Sequence, residues 1–153
     1  MLGLFGAYYQ FEPKLSLEPE SPLKSDSVIN TPFRVTNESP LLPVYNVQQE
    51  WLLETQRGYT LDGEELGDHY VERIDTPPGA TIALLHSSQS ATLYPFDNIR
   101  TREVTVNRLK VVVMITYQTA IFHLKRQQNF FFEGNMGTDG SLHWYHTTVP
   151  ERP

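Results

Sequence analysis

Histidine side chains are the first candidates for chemistry in this sequence, because imidazole binds metal ions and moves protons near neutral pH. The chain has five of them, and His143 and His146 are the closest pair. In a strand, side chains three residues apart point to opposite faces, so this pair shares an ion only if the chain turns after Tyr145. We therefore interpret both as surface or packing residues.

A second candidate cluster lies in a region that the pattern predicts to be loop. His69 follows Asp68, and Glu64 and Glu65 precede them. A loop can fold around an ion, so these side chains suit a metal better than the first pair does. A solvated acidic loop has the same composition, and we favour that interpretation.

A hydrolase needs a nucleophile beside a base, and His86 is followed closely by Ser87, Ser88 and Ser90. The chain has no Gly-x-Ser-x-Gly motif to place a serine on a strained turn. Serine strongly favours turns, so a polar turn between two strands explains this segment better than a catalytic site does.

Two short motifs also favour structural over functional interpretations. Gly134, Gly137 and Gly140 precede a predicted strand rather than a helix, so they are predicted to be turn glycines and not a phosphate-binding loop. The segment from Asn37 to Ser39 fits a glycosylation acceptor, which matters only in a eukaryotic secretory setting. We assign no catalytic, cofactor-binding or metal-ligating residue from the sequence.

The composition is that of one globular domain. The chain has 153 residues, 39% of them hydrophobic, which is enough to bury a core. A net charge of -6 without basic clusters argues against nucleic acid as a partner. The absence of cysteine excludes disulfides, thiol nucleophiles and cysteine-bound metals.

The longest β-branched run, Leu109 to Tyr117, is predicted to be the central strand. Alternation places one set of side chains in the core (Val111, Val113, Ile115 and Tyr117) and the other set on a partly wet face (Lys110, Val112, Met114 and Thr116). The same alternation separates Phe131 from Phe130 and Phe132. Burial of these rings is favoured, and an exposed patch awaiting a partner is the alternative.

Other short alternating runs surround the central one. An edge strand is predicted at Lys14 to Leu17, a half-buried strand at Pro32 to Asn37, and a strand at Tyr45 to Leu53. In the last, Tyr45, Val47 and Trp51 share a face, with Trp51 as the main core anchor. Further strands are predicted at Tyr70 to Ile74, Thr81 to Leu85, Ala91 to Phe96, Gln118 to Lys125 (weakly), Arg126 to Glu133 and Ser141 to Tyr145. The run from Arg102 to Val106 leads into the central strand or is its first half.

Seven to nine short strands without a helical period predict an all-β fold, an antiparallel two-sheet immunoglobulin-like β-sandwich. A small closed barrel is the alternative. We assign residues 13–148 to the sandwich and residues 149–153 to a tail. We assign residues 1–12 to an apolar N-terminal stretch, of which the first nine residues are continuously apolar. This is shorter than the roughly 20 residues that cross a bilayer, so the stretch is interpreted either as a plain start or as the remnant of a membrane anchor.

Six segments between Leu15 and Trp144 combine into a more specific pattern. They are Thr31-Pro-Phe-Arg-Val-Thr-Asn37, Pro43-Val-Tyr-Asn-Val47, Ser90-Ala-Thr-Leu-Tyr-Pro-Phe96, Val111-Val-Val-Met-Ile-Thr-Tyr117, Phe130-Phe-Phe-Glu133 and Asp139-Gly-Ser-Leu-His-Trp144. Together they resemble an uncharacterised class of bacterial proteins. The resemblance implies one β-sandwich behind an N-terminal membrane helix, an extracytoplasmic location and no assigned activity. The membrane helix is absent or reduced here, and residues 53–85 align poorly.

These observations favour a non-catalytic interaction or structural module of a bacterial envelope protein, tethered or formerly tethered through its N-terminus and without a cofactor. An extracytoplasmic, membrane-anchored location is expected if the N-terminus is truncated, and a cytoplasmic one otherwise. Its partner is expected to be a protein, met by strand addition at an open edge or by loop contact. One alternative is a hydrolase or metal-dependent enzyme that uses residues 58–69. The other is a carbohydrate-binding module, which requires Trp51 and Trp144 to be exposed.

Overall fold

The computed structural model describes residues 12–20, 31–60, 65–66, 72–74, 81–94, 104–138 and 142–147. These residues form strands, turns and loops but no helix, so the predicted all-β class is confirmed. In particular, they include no helix long and apolar enough to cross a membrane. Most of the apolar start, residues 1–11, lies outside the described residues, as does the tail.

Ten strands follow one another along the described chain. They are β1 (Leu15–Pro19), β2 (Phe33–Asn37), β3 (Val44–Thr60), β4 (Glu65–Leu66), β5 (Glu72–Ile74), β6 (Ile82–Leu85), β7 (Ser90–Leu93), β8 (Val104–Thr119), β9 (Lys125–Met136) and β10 (Leu142–His146).

Two separate antiparallel sheets confirm the predicted sandwich over a single closed sheet. The small sheet has the order β1-β2-β7. The large sheet has the order β10-β9-β8-β3, and the short strands β4, β5 and β6 pair along the other edge of β3. The chain passes from the large sheet to the small one between β6 and β7, so the turn at residues 86–89 is a corner of the sandwich.

The predicted central strand is confirmed as the second half of β8, which pairs with β3 on one side and β9 on the other. The side chains predicted to face the core (Val111, Val113, Ile115 and Tyr117) are all buried, and the alternate set is half-buried. The run from Val104 to Val106 is the first part of the same strand.

Phe33 joins the two sheets through its ring. Its centroid lies 5.0 Å from Trp51, 5.1 Å from Phe132 and 5.4 Å from Trp144, each time edge to face. Aromatic pairs favour this geometry, so these contacts add to the burial of large apolar surfaces. Trp51 is fully buried, as predicted for a core anchor.

A bulge at the start of β3 corrects the predicted face of that strand. Val44 and Val47 are both buried although they are three residues apart, and Tyr45 is only half-buried. Asn46 between them has φ of 49° and the pairing with β8 shifts register there, which resets the alternation. The strand also continues to Thr60, beyond its predicted end at Leu53.

Gly134 is a strand residue, which contradicts its prediction as a turn glycine. It pairs with Leu109 of β8 and with Trp144 of β10. A Cβ atom at this position would lie 2.9 Å from Cδ2 of Leu142 and 3.1 Å from Trp144. The pairing with β10 therefore places these two side chains so close to position 134 that only glycine fits. Gly137 follows the end of β9, and Gly140 lies outside the described residues.

Candidate functional site

Asn37 is a buried polar residue at one end of the sandwich, and its side chain is 0% exposed. Its Nδ2 donates hydrogen bonds to the backbone carbonyls of Leu42 (2.8 Å), Leu85 (3.2 Å) and His86 (3.2 Å). Its Oδ1 accepts from the backbone N–H of Ser39 at 3.1 Å. The nitrogen that a glycan would modify is thus buried and engaged, so the Asn37 motif is a structural device in this fold.

The corner between β6 and β7 is bound to the same residue. The backbone N–H of Asn37 donates to Gln89, and its carbonyl accepts from Ser88. The side chain of Gln89 in turn accepts from the backbone N–H of His86. The polar segment after Leu85 is therefore a hydrogen-bonded turn, as the sequence indicated.

The β8–β9 hairpin ends in a strained turn at the same end of the molecule. Thr119 is buried. Its Oγ1 donates a hydrogen bond to the carbonyl of Ile121 at 2.7 Å and accepts one from the N–H of Leu124 at 3.2 Å. Phe122 and His123 have φ of 65° and 49°. This left-handed backbone region is energetically unfavourable for residues other than glycine. The predicted weak strand from Gln118 to Lys125 is wrong, because this turn interrupts it.

Five large apolar side chains are exposed around this hairpin turn, and together they form what we call the apolar tip. Phe122 is 73% exposed and Leu41 is 64% exposed, and the other three members are less so. The members are Leu41, Leu84, Ile121, Phe122 and Leu124. Of the seven exposed large hydrophobic residues in the described chain, only Tyr94 and Tyr145 lie outside the tip.

Strand register places these five residues at one end of the large sheet. Val44 is opposite Thr119 on one side and Leu85 on the other, so the start of β3 lies between the hairpin turn and the end of β6. Tyr45 lies opposite Leu84, and its ring is 6.2 Å from that of His123. Leu41 precedes this strand in the loop that Asn37 holds.

Charged groups beside the tip are mostly basic. Lys14 and Lys125 are exposed. Arg126 forms an ion pair with Glu12 at 2.7 Å, and Glu38 accepts a hydrogen bond from Ser16. The backbone N–H of Glu38 donates to the carbonyl of Lys14, which brings the beginning of β1 to this end as well.

The histidine pair of β10 does not form a joint site. Nε2 of His146 lies 3.1 Å from Glu18, and its ring packs 4.6 Å from that of Phe132. His143 has the opposite parity in the same strand and is exposed on the other face. Among the described residues, no three histidine, aspartate or glutamate side chains converge as metal ligands would.

A carboxylate on the outer face of the large sheet is locked to a neighbouring strand. Nε and one terminal nitrogen of Arg108 each donate to Glu133 at 2.9 Å, and Asn135 donates at 3.0 Å. The Arg108 hydrogen bond is the main reason that the pKa of Glu133 lies below its usual value, and it outweighs the opposing effect of burial. The pair links β8 to β9.

The remaining sequence candidates divide between described and undescribed parts of the chain. Of the 58–69 region, residues 58–60 belong to β3 and Glu65 to β4, whereas Glu64, Asp68 and His69 lie outside the described residues. Trp51 is fully buried, and the half-buried Trp144 donates from Nε1 to Oγ1 of Thr31 at 3.0 Å. A carbohydrate-binding platform requires exposed tryptophans, and neither of these two is fully exposed.

Comparison with known proteins adds no family to this description. No protein-family model matches the chain, and no curated protein matches it.

The apolar tip was not anticipated from the sequence. Ile121, Phe122 and Leu124 follow a strong strand, and their weak alternation was interpreted as a continuation of it. The informative signal was the loss of strict alternation after Thr119, since apolar residues that lose their period at the end of a strand are placed in a turn. Leu41 and Leu84 carried no comparable signal.

Proposed function

We propose that this chain is a non-catalytic β-sandwich interaction module of a bacterial envelope protein and that the apolar tip is its contact surface. The observation that carries the proposal is the clustering of Leu41, Leu84, Ile121, Phe122 and Leu124 at one end. Contiguous exposed apolar side chains on a folded protein mark interaction sites.

The backbone at the tip supports the same proposal. Phe122 is both the most exposed of the five side chains and one of two consecutive residues with positive φ. Backbone strain of this kind is concentrated at functional sites. The two hydrogen bonds of the buried Thr119 side chain, to Ile121 and from Leu124, hold the turn in this conformation.

The envelope location and the N-terminal tether are supported by sequence alone, through the resemblance to bacterial sandwich proteins and the apolar residues 1–11. The enzyme alternative concerns residues 58–69, of which Glu64, Asp68 and His69 lie outside the described residues.

A photo-crosslinking experiment in the producing bacterium tests the proposal. A photoreactive amino acid replaces Phe122 in the full chain, and the matched control carries it at Tyr145, which is 57% exposed on β10. We expect discrete adducts, with protein or with lipid, from position 122 and not from position 145. Equal labelling at the two positions, or none at position 122, would refute the proposed contact surface.

A further inference from the structure

We propose that the apolar tip inserts into the interfacial layer of an anionic lipid bilayer. This inference rests on the proposed function, because it names the partner of the same contact surface.

The arrangement of the apolar side chains favours a lipid surface. They come from three separate parts of the chain: the loop before β3, the end of β6 and the β8–β9 turn. The most exposed, Phe122, is at the turn of a hairpin. A bilayer interface accepts leucine and phenylalanine side chains from several loops without a complementary shape, whereas a protein partner must match each of them.

Charge around the tip is complementary to anionic lipid. The whole chain has a net charge of -6. Among the described residues beside the tip, Lys14, Lys125 and Arg126 carry positive charge and Glu12 and Glu38 carry negative charge, which leaves a surplus of one positive charge. Both lysines are exposed. Lys125 directly follows Leu124 in the chain, and the carbonyl of Lys14 accepts from the backbone N–H of Glu38. Lysines at a lipid surface attract anionic headgroups, so this end is the one that such a membrane would bind.

The N-terminal segment joins the domain at the same end. Residues 1–11 contain no charged side chain and only one strongly polar residue, Gln10. They lead to Glu12, whose carboxylate pairs with Arg126, and to Pro13, whose carbonyl accepts a hydrogen bond from Tyr117 at 2.9 Å. Tyr117 is two residues before the end of β8. The described chain therefore begins, at Glu12 and Pro13, at the end of the sandwich that carries the tip.

Vesicle co-sedimentation of the full chain tests the inference. Vesicles of phosphatidylcholine with phosphatidylglycerol are compared with vesicles of phosphatidylcholine alone. We expect binding to the anionic vesicles that weakens with added salt. Replacing both Phe122→Ser and Leu124→Ser is expected to weaken this binding about tenfold or more, because it removes two inserted side chains. Tyr145→Ser is the matched control and is expected to bind as the wild type does.

A second pair of variants separates the charge from the apolar contribution. Lys14→Gln with Lys125→Gln is expected to reduce binding to anionic vesicles and to leave that to neutral vesicles unchanged. The inference is overturned if the wild type does not bind anionic vesicles, if the Phe122 and Leu124 variant binds undiminished, or if sedimentation shows that the tip instead joins two copies of the chain. A protein adduct at position 122 without vesicle binding would overturn the lipid partner and retain the proposed function.

Discussion

The side-chain amide of Asn37 donates a hydrogen bond to the backbone carbonyl of His86 across 3.2 Å, although 49 residues separate them in the chain. This bond ties β2 of the small sheet to the corner through which the chain leaves the large sheet. The same amide holds the loop that carries Leu41, so one buried polar residue fixes two of the segments around the apolar tip.

Replacing Asn37→Asp is expected to destabilise the fold strongly. The substitution keeps the shape but places a carboxylate oxygen against the three carbonyls that the amide nitrogen serves. The backbone N–H of Ser39 would be the one donor, of those described here, left to the buried carboxylate. We expect the free energy of unfolding to fall by about 3 kcal/mol. Urea unfolding followed by circular dichroism measures it. The matched control is Asn46→Asp, at an exposed site, for which we expect a loss of less than about 1 kcal/mol. Equal losses of unfolding free energy for the two variants would show that the hydrogen bonds of Asn37 do not hold these segments together.

Gly134→Ala is expected to destabilise the large sheet by about 1 to 3 kcal/mol, because the new methyl group would meet Leu142 and Trp144 at contact distances that cores do not tolerate. The two closest contacts are with Leu142, at 2.9 and 3.0 Å, so the double variant with Leu142→Ala should lose less than the sum of the two single losses. A double-variant cycle from urea unfolding measures this coupling. Strict additivity would contradict the packing described for β9 and β10.

Glu133→Gln is expected to lower stability at pH 7 by about 1 kcal/mol, since Arg108 is partly exposed and solvent screens the pair. The pKa of Glu133 is depressed in the folded state, so its contribution is complete above the unfolded value of about 4.3. As the pH falls through the lower folded value, that contribution is lost. Unfolding measured from neutral pH downward should show the gap between wild type and variant closing in acid. A difference in unfolding free energy between wild type and variant that grows in acid would contradict a depressed pKa of Glu133.

Phe122→Gly is expected to leave the free energy of unfolding unchanged or to raise it by up to about 1 kcal/mol, because glycine adopts positive φ without cost. By contrast, Phe132→Ala removes a buried ring and should cost about 3 to 5 kcal/mol. Thermal and urea unfolding of the two variants measure this contrast. A loss above about 2 kcal/mol for Phe122→Gly would show that the ring serves the fold rather than a partner.

The sequence predicted those parts of the fold that depend on alternation in buried strands. Val111, Val113 and Ile115 could be placed in the core because a period of two is unbroken there. Two features could not be predicted from the sequence, because each depends on contacts between distant segments. The bulge at Asn46 moved Val44 into the core, and the close approach of Leu142 required glycine at position 134. The tip escaped for a similar reason, since Leu41 and Leu84 are brought beside Phe122 only by strand pairing.

The most direct test uses the absence of cysteine, which allows a single nitroxide label to be placed by Phe122→Cys, with Tyr145→Cys as the matched control. Electron paramagnetic resonance then measures how accessible each label is to oxygen and to a polar nickel reagent, with and without anionic vesicles. We expect the label at position 122 to gain oxygen contact and lose nickel contact when vesicles are added, while the label at position 145 is unchanged. A label at position 122 that stays as accessible to nickel as the control would contradict insertion of the tip.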